Sequence, residues 1–552
     1  MTRPKSGSEP MLERQMNRRQ FLGAAGIGVG TLALTACTGD GDGGGGEATT
    51  GTGPTATSGG GGATAKELVM ATPGEPPTLF QNLEYQPQGY SIYDGILEFL
   101  CKSDPLDPEK GPQPQLAESW EPVGETQWEF KLRQGVKFHN GEDWNAEAAK
   151  ANLDVLLTID PPSPVMFRIQ PYDSAEVKDE YTLVINTKEP WAMAPVGLSE
   201  VQFGAPAALQ DMGPQAFAQA PVGTGMFRFA EWRKGQEIVL EKNGDYWGEQ
   251  ALIETLRFRG IPDAASRFAA LQAGEIHICE DLQIEDVEKA AGASLVVADT
   301  PVAQSVLMTP YIIDAKADGH PTADPRVRLA MNHAIDRQAI IDSVLGGYAK
   351  LMSGQVTGDD AFGWNSQLSD YPYDPDRAKA LLEEAGHGNG VDLGDFFLGE
   401  PGEFLKQQDM FEVLRSQLGE VGIQFTPQVI EYSVFLRKAL QEYTLKYWHI
   451  GGWQYYPVQD SAFALMWYDT DAFLRTGLGD PNYDKAWRQS NVEFDVDKRR
   501  ALLEECHQIV HETPGPVFLW QHHKLYGVSP KVQGLTVTPD ERIHWNGVSA
   551  TV

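Results

Sequence analysis

The chain has 552 residues, 41% of them hydrophobic and 22% charged, with a formal net charge of −33. That length suits about three structural units of roughly 100–200 residues each. So acidic a chain excludes phosphate-backbone binding, which needs clustered Lys and Arg, and disfavours adhesion of the folded body to anionic lipid.

Residues 1–37 read as an export signal rather than as fold. Arg14, Arg18 and Arg19 form a basic region ahead of the apolar, glycine-rich run Phe21–Gly30, which is too short to span a bilayer. Asn17-Arg18-Arg19-Gln20-Phe21-Leu22 resembles a twin-arginine signal, and Leu34-Thr35-Ala36-Cys37 resembles a lipobox, with Cys37 as the lipidated residue. Residues 38–65 are Gly, Thr, Ala, Ser and Asp with little to bury, and predict a flexible tether reaching roughly 30 Å.

From Glu67 strand and helix patterns alternate. Trp128, Phe130 and Leu132 alternate with polar neighbours and predict a half-buried strand; Tyr181–Ile185, Ile238–Leu240 and Leu256–Phe258 repeat the pattern. Asp263 and Gly274 bracket a helix. Asp324-Pro325 and Asp374-Pro375 each pair an N-cap with Pro in the first turn. Phe411, Leu414, Leu418 and Val421 form an apolar stripe that Gly422 closes. A strand at 423–425, a helix at 434–440 and a strand at 447–450 follow. This alternation predicts an α/β fold with a largely parallel sheet, and it makes the loop from Gly451 to Asp460 a place for ligand.

Catalytic constellations are missing. There is no G-x-S-x-G elbow, no S-x-x-K and no phosphate-binding loop. His511-Glu512 begins like a zinc-binding helix but lacks the second His, and Pro514 would end the helix. His522 and His523 are adjacent, so on a strand they face opposite sides and do not converge on one metal. No cofactor, metal or catalytic residue is expected, and the chain reads as a binder rather than an enzyme. Cys101, Cys279 and Cys506 lack C-x-x-C spacing; they read as buried thiols, with one disulfide of undetermined pairing left open.

The middle of the chain is more specific. Pro114–Glu121, Trp128-Glu129-Phe130-Lys131-Leu132-Arg133-Gln134-Gly135-Val136-Lys137-Phe138-His139-Asn140-Gly141, Pro221-Val222-Gly223-Thr224-Gly225-Met226-Phe227, Glu241–Trp247, Leu271–Ile276, and the segments around Arg326-Val327-Arg328 and Ala334–Arg337 stand in order. Together they resemble the family 5 extracellular solute-binding proteins of ABC importers for dipeptides, oligopeptides and nickel, over about residues 67–540. Most of these residues read as scaffold: Gly223 and Gly225 as a tight connection with unusual backbone angles, Arg326 and Arg328 as partners of the acidic surface.

The resemblance implies a two-lobed periplasmic-binding-protein-like α/β fold with an inserted third domain and a hinge. Lobe I would comprise 66–105, 190–302 and 523–552; the inserted domain 106–189; lobe II 303–522. Crossings near Val302–Ser305 and Phe518–His523 would be the hinge. It further implies capture of a peptide or related small solute by closure, handover to ABC permease subunits in the membrane, a monomer, and an extracytoplasmic location with a lipid anchor. Candidate ligand residues are Glu84 and Tyr85 in lobe I and Trp453, Tyr455, Tyr456 and Asp460 in lobe II. Tyr456 stands where peptide-binding relatives carry the Asp that holds an α-ammonium, and Leu79-Phe80-Gln81 replaces the usual LDP. Trp448 and Trp467 read as core. The alternatives are a sensor or interaction lipoprotein on the same fold, an exported hydrolase, and an oligosaccharide or metal complex as ligand.

Overall fold

The computed structural model describes residues 65–83, 89–160, 162–359, 361–399, 405–438, 448–454, 460–472 and 475–551. The first strand, Glu67–Thr72 (β1), is the run ELVMAT, flanked by strands on both sides and buried from Leu68 onward because Leu68 and Met70 pack into one apolar cluster and Val69 and Ala71, on the opposite face, into another. After three short strands at 98–99, 101–103 and 112–114, a separate four-stranded antiparallel sheet forms from Ala117–Pro122 (β2), Gln127–Leu132 (β3), Tyr172–Asp179 (β4) and Thr182–Thr187 (β5), in the order β2-β3-β5-β4. Phe130, Leu183 and Ile185 are buried on one face of it, as their alternation predicted.

The large sheet then assembles from Phe227–Arg233 (β6), Glu237–Lys242 (β7), Thr255–Gly260 (β8), Ile278–Glu280 (β9), Val296–Pro310 (β10), Ala349–Leu351 (β11), Val391–Leu398 (β12), Ile423–Val429 (β13), Trp448–Gln454 (β14) and Val517–Val528 (β15). With β1 these make an 11-stranded sheet in the order β6-β7-β8-β1-β9-β15-β10-β14-β12-β13, with β11 paired to β15. The pairs around β1 and those of β12 with β13 and β14 are parallel. The hairpin β6–β7, the pair β7–β8 and every pair made by β15 or by β10 are antiparallel. The largely parallel sheet expected from strand–helix alternation is therefore a mixed one: long strands return through the sheet from distant parts of the chain.

The fold is α/β and two-lobed. One buried cluster joins Leu68, Met70 and Phe258 to the inserted sheet through Phe130 and Trp144. That cluster also takes in Phe463, Tyr468, Tyr483 and Leu503, while another gathers Val306, Met308, Phe396, Phe411, Phe425 and Trp448. Helix boundaries follow local chemistry. Asp263 accepts from the Ser266 amide at 2.8 Å to start Ala264–Ala273, and Gly274 ends it at φ 72°. Asp324 and Asp374 cap Pro325–Ala334 and Pro375–Glu384 in the same way.

The motifs that carry the family resemblance meet in space. The His139 amide donates to the Gly223 carbonyl at 2.8 Å, its Nδ1 accepts from the Gly223 amide at 3.3 Å, and its Nε2 lies 2.9 Å from the Gly225 carbonyl. Burial pulls the His139 pKa down to about 4, so the ring stays neutral and Nε2 carries the proton. Thr224, Tyr246 and Trp247 all donate to Glu98, at 2.7, 2.9 and 2.8 Å. Two scaffold readings change. Gly223 and Gly225 do not adopt a left-handed backbone. They are needed because a Cβ would lie 1.9 Å from the Ile96 carbonyl oxygen and 2.4 Å from that of Gly95. Arg328 faces no acidic surface: it is buried and donates to the carbonyls of Pro514, Thr322 and Ala323. Arg326 alone pairs outside, with Asp324.

Candidate functional site

β10 and β15 run side by side and antiparallel. Their register runs from Val296 opposite Val528 to Pro301 opposite His523, breaks, and resumes with Ser305 opposite Gln521. A second register shift follows between Val306 and Leu307, so backbone irregularity is concentrated over this stretch of the ladder. Buried polar groups brace it. Gln521 Nε2 donates to the Val302 carbonyl at 3.0 Å, and the Ser305 hydroxyl donates to the Val356 carbonyl. β14 joins at the same level, with Trp453 opposite Ser305 and Gln454 opposite Gln304. The backbone of Trp453 therefore sits beside the break; its side chain, together with Tyr455 and Tyr456, lies outside the described residues.

Asp460 stands at the far end of that loop, 3% exposed. Arg499 clamps it with both terminal nitrogens, at 2.8 Å each, and the Ala462 amide donates to Oδ1 at 3.0 Å. Arg499 also reaches the Ser490 carbonyl and lies 5.1 Å from the Phe362 ring centre. Both carboxylate oxygens thus face an internal cation, and Asp460 acts here as an anchor of the chain. Next to it, Thr357 Oγ1 lies 3.2 Å from Ser461 Oγ and 3.3 Å from His507 Nε2. Burial lowers the His507 pKa to about 3, so this ring is neutral. Trp448 is fully buried among Phe396, Phe411 and Phe425; Trp467 is partly buried and stacks on Phe167.

Glu84 and Tyr85 lie outside the described residues, as does Cys37. The segment leading to them is described and tightly held. Gln81 donates through Nε2 to the Glu200 carbonyl at 3.0 Å, and its amide donates to Gln202 Oε1 at 3.0 Å. Asn82 and Gln202 exchange bonds of 2.9 and 3.1 Å. Arg542, buried, donates to Gln81 Oε1 at 3.2 Å and pairs with Asp94. Burial raises the Glu200 carboxyl to about 8, although nearby Arg542 opposes it, so Glu200 is protonated at neutral pH. Sequence reading missed this network. Its one signal was Gln81 standing at the third position of the LDP site, where a buried amide requires partners.

At the end of β9 Lys524 meets three carboxylates, Glu280 at 3.1 Å, Asp281 at 2.7 Å and Glu541 at 3.5 Å. His523 pairs with Asp299 at 2.8 Å, while burial brings His522 down to about 4. The helix Val496–Glu512 ends before Pro514, and the His511 ring stacks on Tyr371 with centroids 4.6 Å apart. Cys101, Cys279 and Cys506 are separate buried thiols with no disulfide among them. Among the described residues no cluster of His, Cys, Asp and Glu is arranged to hold a metal ion, and no helix is long and apolar enough to cross a membrane.

Residues 111–474 match the bacterial extracellular solute-binding proteins, family 5 Middle. The chain is 26% identical over 515 residues to heme-binding protein A of Haemophilus influenzae, covering 86% of this chain and 89% of that protein. It is 26% identical over 533 residues to the dipeptide-binding protein of Escherichia coli, covering 88% and 95%. Among solved structures, NikA from Brucella suis in complex with Fe(III)-EDTA superposes with a TM-score of 0.76 at 24% identity, over 88% of this chain and 100% of that one. DppA from Helicobacter pylori in complex with the peptide STSA gives a TM-score of 0.72 at 23% identity, over 89% and 99%. Fold, motif geometry and sequence agree: the chain belongs to the family 5 bacterial extracellular solute-binding proteins.

Proposed function

We propose that this chain captures a peptide-like or otherwise amphipathic solute between its lobes and delivers it to the permease subunits of an ABC importer. The working unit is a monomer tethered outside the cytoplasm by lipid at Cys37, exported through the twin-arginine signal. Lobe I comprises 66–105, 190–302 and 523–552, the inserted domain 106–189 and lobe II 303–522. The observation that carries this reading is the register break between Pro301 and Ser305, with the backbone of Trp453 paired beside it. A ligand contact placed at a hinge couples binding to closure. Relatives named for dipeptide, glutathione and heme binding support a solute with apolar and polar parts.

Glu84, Tyr85, Trp453, Tyr455 and Tyr456 line the cleft in this reading. Aromatic faces cover about 150–250 Å² each and supply apolar contact with few frozen rotors. Tyr456 offers a hydroxyl where an acid would hold an α-ammonium, so a free amine is not required. Asp460, held by Arg499, serves the loop rather than the ligand. Calorimetry with a dipeptide, its N-acetylated form, glutathione and haem tests this. Trp453→Ala should weaken the best binder about tenfold, or about 1.4 kcal/mol. Undiminished binding by Trp453→Ala and Tyr456→Ala together would remove the aromatic cleft, and binding lost only in Asp460→Asn would return the amine clamp to Asp460.

A further inference from the structure

A second set of contacts joins the inserted domain to the helices of lobe II, away from the crossing strands. Phe167 stacks on Trp467 with centroids 5.6 Å apart and planes 22° from parallel. Trp128 stacks on Phe494 at 5.8 Å and 29°. The Arg168 guanidinium lies 4.6 Å from the Phe463 ring centre. Arg500 forks onto Glu109, with nitrogen–oxygen distances of 2.7 and 2.6 Å. The Asn491 carbonyl accepts from the Ala192 amide at 2.9 Å, just beyond the inserted domain.

We infer that these contacts form a clasp that holds the lobes closed and opens with them. The clasp rests on the solute-binding reading above and on three features of the contact surface. First, among the described residues the two sides share no sheet. The strands β2–β5 pair with one another, and the contacts above join side chains apart from the Ala192–Asn491 backbone bond. Second, the surface has a buried centre and a rim that tolerates water. Trp128 and Phe463 are 8% and 7% exposed, whereas Phe494 is 37% exposed and the Glu109 and Arg500 side chains are 54% and 28% exposed. Interfaces that open are polar and partly wet, whereas permanent ones resemble a cut core. Third, the lobe II side is pre-organised. Arg500 lies 4.5 Å over the Phe362 ring, and the Thr476 hydroxyl donates to the Trp467 carbonyl, so little side-chain freedom is lost when the halves meet.

Such a clasp sets the closed fraction independently of what is bound. Every solute that binds only the closed form gains the same factor from it. The inserted domain thereby acts on affinity without touching the solute. Each aromatic stack should shift the closed-to-open ratio about two- to tenfold.

The test uses no solute, so its outcome stands apart from that of the calorimetry. Full-length chain carrying Cys37→Ser is spin-labelled at Glu147→Cys and Lys485→Cys, exposed helical positions on the two sides. The buried native thiols Cys101, Cys279 and Cys506 should stay unlabelled. Pulsed electron–electron resonance should show a short-distance population in the parent. Phe167→Ala with Phe494→Ala should lower the ratio of short to long distances at least fivefold, with the unfolding midpoint unchanged. Arg500→Glu should lower it too, and Glu109→Arg added to it should restore it. A parent lacking the short population would overturn the clasp. So would variants that keep the parental distances, or that shift them only together with a lower unfolding midpoint, since those results describe no closure device or a fixed structural interface.

Discussion

Replacing Asp460 by Asn should cost stability rather than affinity. The two side chains are only 4% and 9% exposed, and Arg499 spends both terminal nitrogens on this carboxylate. Asn keeps the shape and, through Oδ1, the bond from the Ala462 amide, so little packing or capping is lost. What remains is a guanidinium buried without its counter-charge. Breaking a buried pair on one side costs about 3–5 kcal/mol, against a typical total of about 5–15 kcal/mol. Guanidinium chloride unfolding of the parent, Asp460→Asn, Arg499→Leu and the double variant closes a thermodynamic cycle. The expected coupling is about 1–3 kcal/mol, with the double variant less unstable than the sum of the singles. Asp460→Asn within about 0.5 kcal/mol of the parent, accompanied by lost solute binding, would refute the anchor and make the carboxylate a ligand group.

Gly225→Ala should fail to accumulate as folded protein, because its Cβ would meet the Gly95 carbonyl oxygen at 2.4 Å; soluble yield and circular dichroism check this. Glu200→Gln should gain stability over the parent as pH rises. Burial raises the parent's pKa to about 8, so the stability of its protonated form is complete below the ordinary glutamate range and is lost between about 4.5 and 8. Unfolding of both proteins at pH 5 and pH 8 reads the difference, and equal behaviour at pH 8 would show an ionised Glu200. Cys37→Ala should release the protein from the membrane fraction, and Arg18→Lys with Arg19→Lys should stop export; unchanged fractionation in either case removes that part of the targeting.

Helix ends were legible because their chemistry is local. Asp263, Asp324 and Asp374 each accept a backbone amide within three residues, and Gly274, Gly386 and Gly422 take positive φ where the helices stop. Strand alternation in 128–132 was legible for the same reason. Sheet direction was not. Gln521 bonds Val302 across 219 positions, and no local pattern records which distant strand lies beside which. The glycines of the PVGTG element were recognised but misexplained, since a close approach by Gly95 and Ile96 is tertiary information.

Departures from a family pattern invite a reading in terms of ligand, yet the structure separates two kinds. Gln81, at the LDP site, is fully buried and bonded to Glu200, Gln202 and Arg542, groups from two other parts of the chain. A change compensated inside the protein says nothing of solute, because its partners and not the cleft dictate the side chain. Asp460 belongs with it: its acidity was visible in sequence, but its partner lies 39 positions later on the helix Val496–Glu512, and the pair neutralises itself. Tyr456 is the departure on which specificity turns in our proposal. An acid omitted from an ammonium clamp must be offset by a changed ligand, since a buried ammonium without a carboxylate costs several kcal/mol. The comparison of a free with an acetylated peptide amine therefore addresses the residue whose change has consequences outside the chain.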